Sequence, residues 1–280
     1  MDINASGDVA GLYVNSSQSS QSFLRTHDGT LTEFDPPDTT SGVYEGSMAF
    51  GINDAGAIVG SFNTTSQIPT KIVVAGYQRT PGGNIEPINF PGTVASDSST
   101  YAACIDSGGE VAGYYFDSNS GQNAGFIQSS TGQFTAFVLP GATPQIGLGA
   151  LSCRINATGN VAGLYFQGFV PFRSFLATAD GTVTEIAAPG AGTTLNTGTL
   201  ALDINASGVI VGGVVGTGSI SHSFMRAADG TFTVFDPPGT GTGGSVAESI
   251  NDSGSSPEAI PMRTMSSMDT FGRSMGPLRQ

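Results

Sequence analysis

One set of residues recurs at a spacing that could do chemistry. Asn4, Asn53, Asp106, Asn156 and Asn205 each follow an isoleucine, and each opens the motif Ile-Asn/Asp-x-x-Gly-x-hydrophobic-x-Gly. Carboxylates stand close by at Asp2, Asp54, Asp203 and Asp252. If the repeats are arranged about an axis, these amides and acids form a ring of oxygen ligands that could take a cation or a sugar. The same residues also have a purely local reading as five Asx turns, in which the side chain bonds the backbone just ahead. The sequence favours the local reading. Other chemistry is thin. The only histidines are His27 and His222, in different repeats, and the only cysteines are Cys104 and Cys153. No Ser-His-Asp order, metal-ligand spacing or phosphate loop stands out, so no catalytic residue, metal site or cofactor is expected. Asp117-Ser118-Asn119-Ser120-Gly121 resembles half of a calcium loop but lacks a closing bidentate glutamate, and it reads as a loop.

The elements that would position such a ring follow from the motif's repetition. Its isoleucines are Ile3, Ile52, Ile105, Ile155, Ile204 and Ile250, at spacings of 49, 53, 50, 49 and 46 residues. In each of the five complete copies one glycine follows the Asn/Asp by three residues and another by seven, as in Gly7 and Gly11 or Gly208 and Gly212. The first glycine supplies a positive φ to a turn. The second sits in the middle of an alternating strand, where glycine is tolerated when something must approach closely. A hairpin with Asp-Gly at its tip follows (Asp28-Gly29, Asp180-Gly181, Asp229-Gly230), and the favoured two-residue connection is expected there. Prolines such as Pro36-Pro37 and Pro237-Pro238 then end the ladder. Four short strands per repeat of about 49 residues predict an all-β fold, a β-propeller of five complete repeats with an aborted sixth. Phe23, Tyr77, Phe126, Phe175 and Phe224, one per repeat, are expected to pack blade against blade.

Composition agrees. Glycine takes 41 of 280 positions, charged residues are 11%, and the formal charge is −13. A nucleic-acid partner needs a cationic footprint, so that class is set aside. No apolar run reaches the ~18 residues of a membrane span. The first residues, Met1-Asp2-Ile3-Asn4, have neither a basic nor an apolar leader region, so no signal peptide is expected in this chain. Cys104 and Cys153 fall at nearly equivalent places in neighbouring repeats. A bridge is conceivable, and two buried thiols are the expectation. A monomer is expected.

These residues resemble a known family. Ile-Asn-x-x-Gly-x-Val-x-Gly-x-Tyr, then His-Ala/Gly-Phe, then Asp-Gly-Thr-x-Thr-x-Phe-Asp-x-Pro-Gly is similar to the HAF-type bacterial extracellular repeat proteins, over about residues 2–254. The resemblance implies a secreted or surface protein without a defined biochemical activity. At the family's histidine this chain keeps only His222, with Gln21, Ala75, Ala124 and Arg173 at the other positions. The expected function is a non-catalytic extracellular binding or structural scaffold whose partner is a protein or a glycan. A propeller lectin using Tyr13, Tyr115 and Tyr165 as sugar platforms is the alternative, and a glycan hydrolase or lyase stands behind it.

Residues 1–254 read as the propeller, and 255–280 as a tail of another kind. That tail holds four of the seven methionines and three of the nine basic residues. Restoring one base after the first two of the Gly254 codon lets the shifted frame read Gly-Ile-Val-Ala-Gly, then SYPDANNVFHGYVRSINGTITT. Two positions are forced whatever the codons. Met268 before Asp269 compels a glycine, and Met275 before Gly276 compels another seven residues on. The same interval of seven separates Ser22 from Gly29, Ser174 from Gly181 and Ser223 from Gly230. The tail is therefore read as repeat sequence carried one base out of frame, and residues 257–280 are expected to pack poorly.

Overall fold

The computed structural model describes residues 1–43, 45–65, 72–91, 98–117, 121–140, 152–165, 171–218, 220–252 and 260–261. Most of the tail and the core of the calcium-loop-like segment fall outside them.

Alternating side chains close into five four-stranded antiparallel sheets, each in simple chain order. Blade one comprises Asp2–Ile3, Val9–Val14, Ser20–Arg25 and Leu31–Phe34. Blades two to five occupy 47–88, 99–137, 152–186 and 198–235 in the same way. The first strand of each blade is the one that ends in Ile-Asn or Ile-Asp. A sixth first strand, Ser245–Val246, follows blade five. The described residues contain no helix.

The turns are built alike. Gly7 N–H bonds the Asn4 carbonyl at 3.0 Å, Asn4 N–H bonds the Asp8 carbonyl at 3.0 Å, and Gly7 takes φ 82°. The Asp-Gly tips follow the same plan and correct the two-residue expectation. Gly29 N–H bonds the Thr26 carbonyl at 2.9 Å, and Asp28 sits inside a four-residue turn with Gly29 (φ 91°) as the bulge after it. The reason lies in the aspartate. Its carboxylate accepts from Thr26 Oγ1 and from Thr30 N–H, which fastens the turn's two arms together. Those bonds, from Thr26 first and Thr30 second, hold the Asp28 carboxyl down at about 2.

The strand glycine has a specific partner. Gly11, Gly60, Gly113, Gly163 and Gly212 stand directly opposite Phe23, Tyr77, Phe126, Phe175 and Phe224 on the third strand. The ring folds back over the glycine, so a Cβ at Gly60 would lie 2.7 Å from the Tyr77 ring. From there each ring from blade two onward reaches the preceding blade. Tyr77 meets Phe34 edge-on at 6.2 Å, Phe175 lies 5.6 Å from Phe137, and Phe224 joins Ile186 and Ala188 of blade four. Packing blade against blade is thus the role of Tyr77, Phe126, Phe175 and Phe224, as the sequence predicts, and Phe23 is the exception, on the side of blade one that no described blade covers.

Buried hydroxyls complete the seams. Ser22 and Ser47 share a bond of 2.7 Å across the first seam, and Ser22 also meets the Tyr77 hydroxyl at 3.0 Å. Ser223 donates to Ser245 at 2.9 Å across the last, so the sixth first strand docks on blade five as the others dock on theirs.

Burial raises the phenol pKa of Tyr77, Tyr101 and Tyr114 above the ordinary value. A raised folded-state pKa gives stability that is whole below the unfolded pKa near 10 and is lost as pH rises beyond it. Urea unfolding is expected to weaken above about pH 10, by up to ~1.4 kcal/mol per pH unit for each of these tyrosines. A stability flat from pH 8 to 11 would contradict their burial.

The two cysteines correct an expectation. Cys104 and Cys153 are joined in a disulfide, with Cα atoms 6.0 Å apart, and not left as thiols. Their first strands lie side by side at the seam between blades three and four, so neighbouring repeats bring the sulfurs together.

Candidate functional site

The Ile-Asn turns of blades two to five converge, with Asp252, on a cavity of about 210 Å³. Asn53, Asp54, Asp106, Asn156, Ala206 and Asp252 line it. The structure thus gathers three of the five predicted ring residues, Asn53, Asp106 and Asn156, around one mouth. Asn4 and Asn205 occupy the same place in their own turns. All five are buried, at 3–7% exposure.

Burial on that scale demands partners for every polar atom, and each asparagine has them at both ends. The Oδ1 oxygens face their own turns. Asn4 accepts from Ser6 and Asp8 N–H at 3.1 and 2.9 Å, and Asn156 accepts from Thr158 and Asn160 N–H at 3.1 and 3.0 Å. Asn53 accepts from Ala57 N–H, Asp106 from Glu110 N–H and Asn205 from Val209 N–H. The amide nitrogens face the next blade. Asn4 donates to the Asn53 carbonyl at 3.3 Å and Asn53 to the Asp106 carbonyl at 3.0 Å. Asn156 donates to the Asn205 carbonyl at 3.0 Å and Asn205 to the Asn251 carbonyl at 3.2 Å.

These are staples running around the axis, and they stop at Asp106, whose carboxylate has no N–H to give. That is the seam where Cys104 and Cys153 are bonded. Carboxylates add to the staples at the two ends of the chain. Asp2 and Asp54 accept from Ile52 and Ala5 N–H across the first seam. Asp203 and Asp252 accept from Ile250 and Ala206 N–H across the last.

Arg154, which the sequence reading passes over, takes the place two residues before the Asn that Asp2 and Asp203 take in their own repeats. It lies 3.7 Å from Asp2 and 3.8 Å from Asp203, linking blade four to blades one and five. The odd charge at that register was the available signal. Among the described residues no group of three or more His, Cys, Asp or Glu is placed to hold a metal ion.

Truncating one staple tests its weight. Asn53→Ala removes the bonds to Ala57 and Asp106 together, and is expected to cost about 2–4 kcal/mol in urea unfolding. A cost under ~1 kcal/mol would show the amide idle.

The residues considered for other chemistry are also engaged. Tyr165 is fully buried and donates to the Pro140 carbonyl at 3.1 Å, and Tyr115 stacks on Phe90 at 3.9 Å. The Tyr13 hydroxyl bonds Gln21. His222 Nδ1 meets Asp236 at 2.7 Å, and Asp236 also accepts from the seam hydroxyl of Ser245. In blade one Gln21 and Asp35 stand in the same relation, with Ser47 donating to Asp35. A glutamine serving where His222 serves marks a packing role.

Five four-stranded sheets in chain order, stapled around one axis, define a β-propeller. Solved structures with a partial likeness to the chain include two proteins of known name. A virginiamycin B lyase from Staphylococcus aureus is 17% identical over 83% of this chain and 67% of its own, with a TM-score of 0.49. A fucose-specific lectin from Aleuria aurantia is 12% identical over 85% of this chain and 78% of its own, at 0.48. No protein-family model and no curated protein matches the chain.

Proposed function

We propose that this chain is a non-catalytic extracellular propeller scaffold that offers its surface to a protein partner. One observation carries the reading: the side chains that recur with chemical potential, the five Asn/Asp, are turned inward on the fold, with Oδ1 in the turn and, in the four asparagines, Nδ2 on the next blade. Lectin chemistry needs aromatic platforms open to sugar, and Tyr115 and Tyr165 already have partners. Hydrolysis or elimination needs paired carboxylates converging on a substrate, whereas Asp2, Asp54, Asp203 and Asp252 each accept a backbone N–H of a neighbouring blade. A disulfide suits an oxidising compartment, in keeping with the resemblance to the HAF-type extracellular repeats.

The test is a glycan array run beside a panel of chromogenic glycosides. The proposal expects no hit and no turnover. A glycan hit would establish the lectin reading, and turnover the enzymatic one. Calcium or magnesium at 100 times a typical millimolar Kd would add about 2.7 kcal/mol to a protein that bound it at the axial mouth. The unfolding temperature is expected to be the same in either metal as in EDTA, and a rise that Asp106→Asn abolishes would restore the cation ring.

A further inference from the structure

Five blades built alike allow one position to be compared across all of them, and blade one differs on one side. The isoleucine before the Asn/Asp packs against the preceding blade, at 5–8% exposure for Ile52, Ile155, Ile204 and Ile250 and half-buried for Ile105; Ile3 is 63% exposed. The third-strand aromatic is buried in blades two to five, whereas Phe23 is only half-buried. The residue opening the fourth strand is half-buried at Ile85, Phe134, Val183 and Phe232, but Leu31 is 60% exposed. Ile3, Phe23 and Leu31 together are one half of a seam that the chain makes four times elsewhere.

We infer that this face seats strands two to four of a sixth blade, and that its occupant is the repeat segment encoded one base out of frame after Gly254. The first strand of that blade is already in place. Ser245 bonds Ser223, Asn205 staples Asn251, and Ile250 is 7% exposed. The next piece has begun to add. Ile260–Pro261 pairs antiparallel with Ser245–Val246, on the edge where a second strand belongs but one residue off the register in which blade two pairs Phe62 and Ser61 with Ser47 and Met48.

Length fits as well. Strands two to four of blade one span positions 9 to 34, which is +5 to +30 from Asn4; the same offsets from Asn251 run from 256 to 281, and the chain reaches 280, one residue short of the last. The forced codons fall in register with no gap. Counting from Asn4, Asn156 and Asn205, the seam serine stands at +18, the aromatic at +19 and the hairpin glycine at +25. Counting from Asn251, the shifted frame compels glycine at position 269 (+18), tyrosine or histidine at 270 (+19) and glycine at 276 (+25). The sequence as it stands has Asp269 and Thr270 at +18 and +19, a carboxylate and a small polar group where repeats one, four and five carry a serine and a phenylalanine.

The test compares the 280-residue chain with one whose residues 255–280 are IVAGSYPDANNVFHGYVRSINGTITT, each with and without Leu31→Asp. In the present chain Leu31→Asp is expected to move the unfolding temperature by less than about 1 °C, as an exposed substitution does. In the second chain it is expected to lower that temperature by about 4–8 °C, because a carboxylate is then buried in a seam. Anilinonaphthalene sulfonate fluorescence should be lower for the second chain than for the first. Equal effects of Leu31→Asp in both chains, or a second chain that does not fold, would overturn the inference. So would a present chain that runs as a dimer on a sizing column and becomes monomeric with Leu31→Asp, since the face would then belong to a second copy.

Discussion

Gly212→Ala is expected to lower the stability of the propeller by about 3–5 kcal/mol. A Cβ there would lie 1.8 Å from the Leu200 carbonyl oxygen and 2.9 Å from the Phe224 ring. The oxygen belongs to the first strand, just before its bulge between Ala201 and Asp203, and cannot retreat without breaking the ladder. The ring is buried at 0% exposure against blade four and has nowhere to swing. Gly11→Ala is the internal control. The atoms nearest its new methyl belong to the side chains of Met1 and Phe23, at 2.8 and 2.9 Å, and Phe23 is half-buried. Side chains with room can yield, so about 1 kcal/mol is expected there. Thermal unfolding of the two variants checks the contrast. Equal losses would mean that the first-strand carbonyl is not what makes this position glycine.

Loss of the Cys104–Cys153 bond is expected to cost about 2–4 kcal/mol, since it closes a 49-residue loop and ties two blades. It is also the seam without an amide staple, because Asp106 stands where asparagine donates elsewhere. Cys104→Ala with Cys153→Ala should therefore unfold several degrees lower than the parent. Dithiothreitol should bring the parent to the same point and leave the double variant unmoved. A parent indifferent to dithiothreitol would show that the bond carries no load.

Much of this architecture is legible in the sequence because a repeat tests itself. Glycines recurring at +3 and +7 after Asn identify a turn and a crowded strand whatever else varies, and the structure puts a ring over each strand glycine. Tyr77, Phe126, Phe175 and Phe224 read correctly for the same reason, and Phe23 does not. What escaped was pairing between repeats. A sequence shows that Asn53 heads a turn, but the reach of its amide to the Asp106 carbonyl depends on how blades are arrayed. Cys104 and Cys153 sit at nearly matching places in neighbouring repeats, which made a bridge conceivable without deciding it. The Asp-Gly tips misled because the dipeptide serves two hairpin geometries, and the bonds from Thr26 and Thr30 to Asp28 select the longer one. Arg154 was invisible because its partners, Asp2 and Asp203, lie in other blades.

The central claim is that the recurring asparagine is a two-ended staple, with Asp106 as the one position that lost an end. Asp106→Asn in the oxidised protein measures it most directly, by restoring an N–H aimed at blade four and removing a buried carboxylate. A gain of about 1 kcal/mol, or roughly 2–4 °C in the unfolding temperature, is the predicted result. An unchanged or lower unfolding temperature would contradict the staple and return the ring to the ligand reading.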